Sequence, residues 1–199
     1  ATRRGRAGWA AMASAEPSVE ALSTTMISQA TFFVSLTADE IAASVIALYE
    51  ETLSQVIALA IFMPILSDMS GCSGSQAVAV SIRELSLGLV QPRDFLRVWW
   101  KESQVGLFNG LILGILLAVL AFVWKGSFAL AVVVGLALGI NTFVGGCAGG
   151  LLPLIIRRLG IDPALAAAPI LTTITDMFGF FLALSFTALA LKSGFLVPF

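Results

Sequence analysis

The chain has 199 residues, of which 58% are hydrophobic and only 12% charged, about half the charged share of a soluble domain. With a mean hydropathy of +0.98, this is the composition of an all-α integral membrane protein with room for one bundle of several helices. The net charge of −1 comes without a basic patch interleaved with aromatics, which excludes a nucleic-acid partner; His is absent, removing the usual transition-metal ligand and proton shuttle, and two cysteines cannot build a disulfide framework.

Residues 1–27 open with Arg3, Arg4 and Arg6 before GWAAMASA. That apolar run is short and rich in Ala and Gly, so a cytoplasmic lead-in is expected rather than a cleaved signal. Residues 28–199 are expected to form the membrane domain. About 20 mainly apolar residues are needed to cross the hydrocarbon core. Five segments meet this: 28–49, 53–82, 104–124, 128–157 and 167–191. The first is interrupted by Asp39 and Glu40.

The second contains Pro64, followed by the polar run SDMSGCSGSQ at 67–76. Proline removes a backbone donor and disfavours helix just before it. A break in the helix is therefore predicted here, with carbonyl and hydroxyl oxygens suited to a hard cation. Asp68 adds a carboxylate at membrane depth. Residues 91–103, QPRDFLRVWWKES, are too polar to span. Phe95, Trp99 and Trp100 alternate with Arg93, Arg97 and Lys101, the pattern of a short helix at the membrane interface.

Gly106, Gly110 and Gly114 in the third segment, and Gly145–Gly149 and Gly146–Gly150 in the fourth, are spaced for close helix packing. GCSG at 71–74 is echoed by GCAG at 146–149, a faint hint of internal symmetry. In the fifth segment Asp176 is the sole charged residue between Asp162 and Lys192. A carboxylate at membrane depth is costly and calls for a cation, a proton or a partner charge. Pro169, Thr172, Thr173 and Asp176 share one helical face. Two readings stand: the hydroxyls bond their own helix and Asp176 pairs with an arginine, or the face is the wall of a cation path. Every basic residue is predicted near an interface, which favours the second.

Placing the N-terminus, residues 83–101 and the Arg157–Arg158 turn on one side gathers nine of the eleven basic residues there, leaving Lys125 and Lys192 opposite. The positive-inside rule then makes the N-terminus cytoplasmic and the C-terminus external, which needs an odd number of crossings.

These residues carry a family resemblance. AASVIALYEETLSQVIALAIFMPIL, then Gly71, Gly74 and Gln76, then LLPLIIRRLGIDPALAAAPILTTITD resemble the transmembrane domain of the MgtE magnesium channels, over residues 41–190. The resemblance implies a homodimer in a cell membrane, bacterial or archaeal, with five helices per subunit. A divalent-cation pore, for Mg²⁺ first and Mn²⁺ or another divalent ion next, would run along the dimer axis between the second and fifth helices. It implies Asp176 as the central metal ligand with Thr172 beside it; Asp68, read from this chain's own residues, would add a further carboxylate ligand from each subunit. Ser67, Ser70, Gly71, Cys72, Gln76, Ala168, Pro169 and Thr173 would line the pore. Mg²⁺ dehydrates reluctantly, so the carboxylates would hold much of its water shell.

The chain departs from the family pattern at Asp68 and Ser70, which stand at glycine positions, at Cys72, at an asparagine position, and at Ala168, at another. Cys72 is either a soft ligand that would favour softer ions or a small buried residue. The family's large cytoplasmic magnesium-sensing domains have no match in these residues, so gating by them is not carried over. An alternative within transport is an ion-coupled exchanger using Na⁺ or H⁺; one of a different class is an intramembrane aspartyl protease with Asp68 and Asp176 as its pair. A membrane assembly subunit without transport is a third. The first reading, passive transport rather than catalysis, is the expectation tested below.

Overall fold

The computed structural model describes residues 29, 36, 37 and 40–196; the lead-in and nine of the 22 residues of the first predicted span, Asp39 among them, fall outside these. Among the described residues all regular structure is helical. Residues 40–47 are helical and lead into a short helix, α1 (Glu50–Gln55). Four long helices follow: α2 (Ile57–Ser86), α3 (Phe95–Lys125), α4 (Phe128–Arg158) and α5 (Pro163–Lys192). Each has 30 or 31 residues. At about 1.5 Å per residue they outreach a hydrocarbon core of about 30 Å, and all four are apolar enough to cross a membrane.

The turns follow from local chemistry. Gly126 ends α3 at φ +68°, a conformation that costs glycine nothing. Ser127 Oγ then accepts the backbone N–H of Leu130 to start α4. Gly160 turns the chain at φ +78°, Asp162 caps α5 through the N–H of Ala164, and Pro163 takes the first helical position, where its missing N–H is harmless.

Helix α4 is the centre of the bundle. In its most apolar stretch 61% of residues are buried, against 28–33% in α2, α3 and α5, and all three pack on it. Leu59, Phe62 and Leu66 of α2 meet Leu130, Val134 and Leu138 of α4 and Ala183 and Leu184 of α5 in the main core. Elsewhere the contact is backbone on backbone. A Cβ on Gly114 would lie 2.7 Å from the Gly135 carbonyl, and one on Gly110 would strike that of Gly139. On the other side of α4, a Cβ on Gly145 would lie 2.9 Å from the Ser70 carbonyl, and one on Gly149 would strike that of Gly74. The GCSG and GCAG segments that echo each other in sequence are thus packed together through Gly74 and Gly149. Gly146 and Gly150 face α3 instead, at Gly106 and beneath Glu102.

Two expectations are corrected. Helix α2 does not break between Pro64 and Gln76 but runs on to Ser86. Pro64 lacks only its own N–H, which frees the carbonyl one turn earlier at residue 60, not those of residues 67–71. Gly74 there serves close approach to α4, and neither it nor Gly71 takes a turn conformation. The segment predicted as a separate interfacial helix forms, from Phe95 onward, the first turns of α3, unbroken into the membrane span. Nothing in 95–103 terminates a helix, and the length of α3 lets those turns emerge from the core. Phe95, Leu96, Trp99 and Trp100 remain exposed on them. At this end Lys101 bonds Glu84 of α2 and lies 3.6 Å from Glu102, which is 4% exposed. At the other side of the molecule Tyr49 hydrogen-bonds Ser185 at 2.9 Å and stacks edge-on against Phe181, pinning the residues before α1 to α5.

Two glycines of the polar segments distinguish packing from conformational freedom. Gly149→Ala forces a Cβ into backbone and should cost about 1–3 kcal/mol. Gly71→Ala meets only Thr175 Oγ1 at 3.8 Å and should be neutral or gain up to about 1 kcal/mol of helix propensity. Thermal unfolding of the purified variants in detergent reads both.

Candidate cation site

Asp176 lies half-buried on α5, facing α2, where Ser67 Oγ donates a hydrogen bond to its Oδ1. The hydroxyls preceding it turn back on their own helix. Thr172 donates to the Ala168 carbonyl at 3.1 Å, Thr173 to that of Pro169 at 3.0 Å, and Thr175 to those of Leu171 and Thr172 at 3.2 and 3.0 Å. The half of the first reading that concerned the threonines therefore holds. Such bonds leave each hydroxyl oxygen a lone pair with which to accept.

Ala168 and Thr172 are exposed on α5, as is Asp68 on α2, while Pro169, Thr173, Ser67 and Gly71 are half-buried. At 100° per residue, Ser67 and Gly71 share the face of α2 that meets α5, and Asp68 sits beside them toward the outside. Cys72 and Gln76 are exposed on another side of α2. With Met69, Ser73, Asn109 and Leu113 they line a groove of about 280 Å³ between α2 and α3. Ser70 is placed inside the bundle. It is 0% exposed, and its hydroxyl bonds the Leu66 and Ser67 carbonyls at 2.9 and 3.0 Å. A side chain buried against α4 within its own chain cannot line a pore between chains, so Ser70 leaves that group.

The donors near Asp176 are carboxylate, hydroxyl and carbonyl oxygens, a set that suits a hard divalent cation. Among the described residues no group of three or more His, Cys, Asp or Glu is gathered tightly enough to close around a metal. The arrangement within one chain can therefore attract a hydrated ion but supplies few of its direct ligands.

Asn141, absent from the residues picked out in the sequence, joins these elements from α4. Fully buried, its Nδ2 donates to Ser70 Oγ at 2.6 Å, the Thr175 carbonyl at 3.0 Å and the Leu66 carbonyl at 3.4 Å. Its Oδ1 is buried with no partner among the described residues. The signal was available: it is an amide in an otherwise apolar span, where polar side chains tie helices together. Glu102 was also missed, because its burial depends on the space that Gly150 leaves.

A family model for MgtE, described as a divalent cation transporter, matches residues 63–186. The chain is 36% identical over 137 residues to the magnesium transporter MgtE of Bacillus subtilis, covering 69% of this chain and 30% of that protein. It is 37% identical over 153 residues to the magnesium transporter MgtE of Thermus thermophilus, covering 77% and 34%, and 33% identical over 135 residues to that of Enterococcus faecalis, covering 68% and 30%. The chain thus spans about a third of the length of these relatives.

The Ser67–Asp176 bond predicts an energetic coupling. Ser67→Ala should destabilise the protein by about 1.5–3 kcal/mol, the worth of a hydrogen bond to a charged group. In an Asp176→Asn background the same change should cost at least about 1 kcal/mol less. A double-mutant cycle on unfolding in detergent measures the difference; equal costs in both backgrounds would show that the pair contributes nothing.

Proposed function

The chain belongs to the MgtE family of divalent cation transporters, and from that premise we propose that it passes divalent cations, Mg²⁺ first among them, passively across a cell membrane. The path is a pore at the axis of a homodimer, walled by α2 and α5 of each subunit. The observation that carries this reading is Asp176, a carboxylate within an apolar helix, held by Ser67 across the α2–α5 contact. Thr172 and Asp68 are exposed on the outward sides of the same two helices, with Ala168 one turn from Thr172. In a bilayer such polar surface has to meet protein or water. A second copy facing it across a water-filled axis meets both needs.

In this pore the two copies of Asp176 form the central site, and Asp68 raises the local concentration of cations nearer the entrance. Mg²⁺ binds water too tightly to shed it quickly. Two carboxylates therefore hold the hydrated ion through its water and by charge, firmly enough to select it and weakly enough to release it. Thr172, Ser67 and the backbone around Gly71 and Ala168 offer acceptors to that water. Pro169 and Thr173 shape the wall. The methyl group of Ala168 and the missing side chain of Gly71 leave width for a hydrated ion. The membrane topology that accompanies this reading has the N-terminus cytoplasmic and a fifth crossing contributed by residues 28–49.

Reconstitution of the full chain in proteoliposomes tests the proposal. Mg²⁺ uptake should proceed without an imposed Na⁺ or H⁺ gradient. Asp176→Asn should reduce uptake to the level of empty vesicles, and Asp68→Asn should lower it by about tenfold or less, since an exposed charge is screened. Uptake that vanishes without a gradient would make the protein an exchanger. Uptake untouched by Asp176→Asn would remove Asp176 from the ion path.

A further inference from the structure

We propose that Asn141, on α4 and out of contact with the ion path, is the positioning residue that sets the cation affinity of Asp176. This rests on the pore reading above and adds to it a residue outside the pore helices. Its amide nitrogen reaches both helices that carry the pair. Leu66 and Ser70, two of its acceptors, flank Ser67 on α2; the third, Thr175, immediately precedes Asp176 on α5. One buried amide thereby sets the height and rotation of α2 relative to α5 at the level where Ser67 meets Asp176.

The direction of the amide is dictated by these neighbours. Reversing it would set Oδ1 against two carbonyl oxygens. In the observed direction Oδ1 is buried with no partner among the described residues, while Nδ2 is committed to its cross-helix bonds. Space is kept for it as well: a Cβ on Gly179 would lie 2.5 Å from Asn141 Nδ2. Packing alone does not require an amide here, because leucine has a similar volume. Replacement by leucine would leave Ser70 bonded to its own helix and α5 with its helical bonds. What is lost is the tie between the two helices, and with it the fixed setting of Asp176 against Ser67.

The test uses the full chain, purified and reconstituted, with Mg²⁺ as the probe in two assays: half-saturation of uptake, and the Mg²⁺ concentration that half-shifts the thermal midpoint, against NaCl at equal ionic strength. For Asn141→Leu both concentrations should rise about tenfold, the equivalent of one hydrogen bond to a charged group, while maximal uptake changes little. Adding Ser67→Ala should bring no further rise, because both changes release the same carboxylate. Gly179→Ala keeps the amide but pushes it off its acceptors, and should reproduce the rise if Asn141→Leu fails to fold. Half-saturation within about twofold of the parent in the folded variant, or an additive double variant, would overturn the role of Asn141 while leaving the pore standing. A parent protein whose midpoint ignores Mg²⁺, or responds equally after Asp176→Asn, would overturn both.

Discussion

Everything at the candidate site depends on how closely α2 can approach α4. At Gly74 and Gly149 the two backbones touch without an intervening side chain, and at Gly145 the Ser70 carbonyl lies where a Cβ would otherwise be. In a bilayer, apolar side chains gain little by leaving lipid for one another, so close van der Waals contact and interhelical hydrogen bonds hold helices together. The glycine contact supplies the first directly and makes the second possible. Only at this separation can an amide as short as that of Asn141 reach the Leu66 carbonyl and Ser70 on one helix and Thr175 on another.

The same geometry accounts for the division of polar groups between the bundle interior and its accessible faces. Polar side chains turned toward α4 are taken up by the bundle: Ser70 and Asn141 bond each other, and Thr175 bonds its own helix. Those turned toward α5 or outward, Ser67, Asp68, Thr172 and Asp176, are left where a second chain or water can reach them. A single run of polar residues, 67–76, is thus split by helical rotation into an interior tie, a carboxylate partner and a groove toward α3. Neither of its glycines takes a positive φ, and the run stays helical in spite of Pro64.

Much of the architecture could be read from composition and spacing. Second to fifth spans correspond to α2–α5, with ends displaced by up to four residues except the start of α3, which lies nine residues earlier, because apolar length and the punctuation at Gly126–Ser127 and Gly160–Pro163 are local signals. The Gly106–Gly110–Gly114 row packs as its spacing implied. Legibility ended where a signal had two meanings. A proline inside an apolar run reads as a break, yet a long helix absorbs it when only one carbonyl loses its partner. An aromatic and basic segment reads as an interfacial helix, yet it continues the span when nothing stops it.

Asp176 shows the boundary most clearly. Its isolation in an apolar span is a property of the sequence, as is membership of a family of divalent cation transporters, since both follow from residue types in order. Which groups meet that carboxylate is not. Ser67 lies 109 positions earlier, and Asn141 bonds the residues next to or near each of them from a third helix. Spacing along one helix assigns a residue to a face, but not the neighbour that the face meets. That was decided by glycines on α2 and α4, whose missing side chains let three backbones converge.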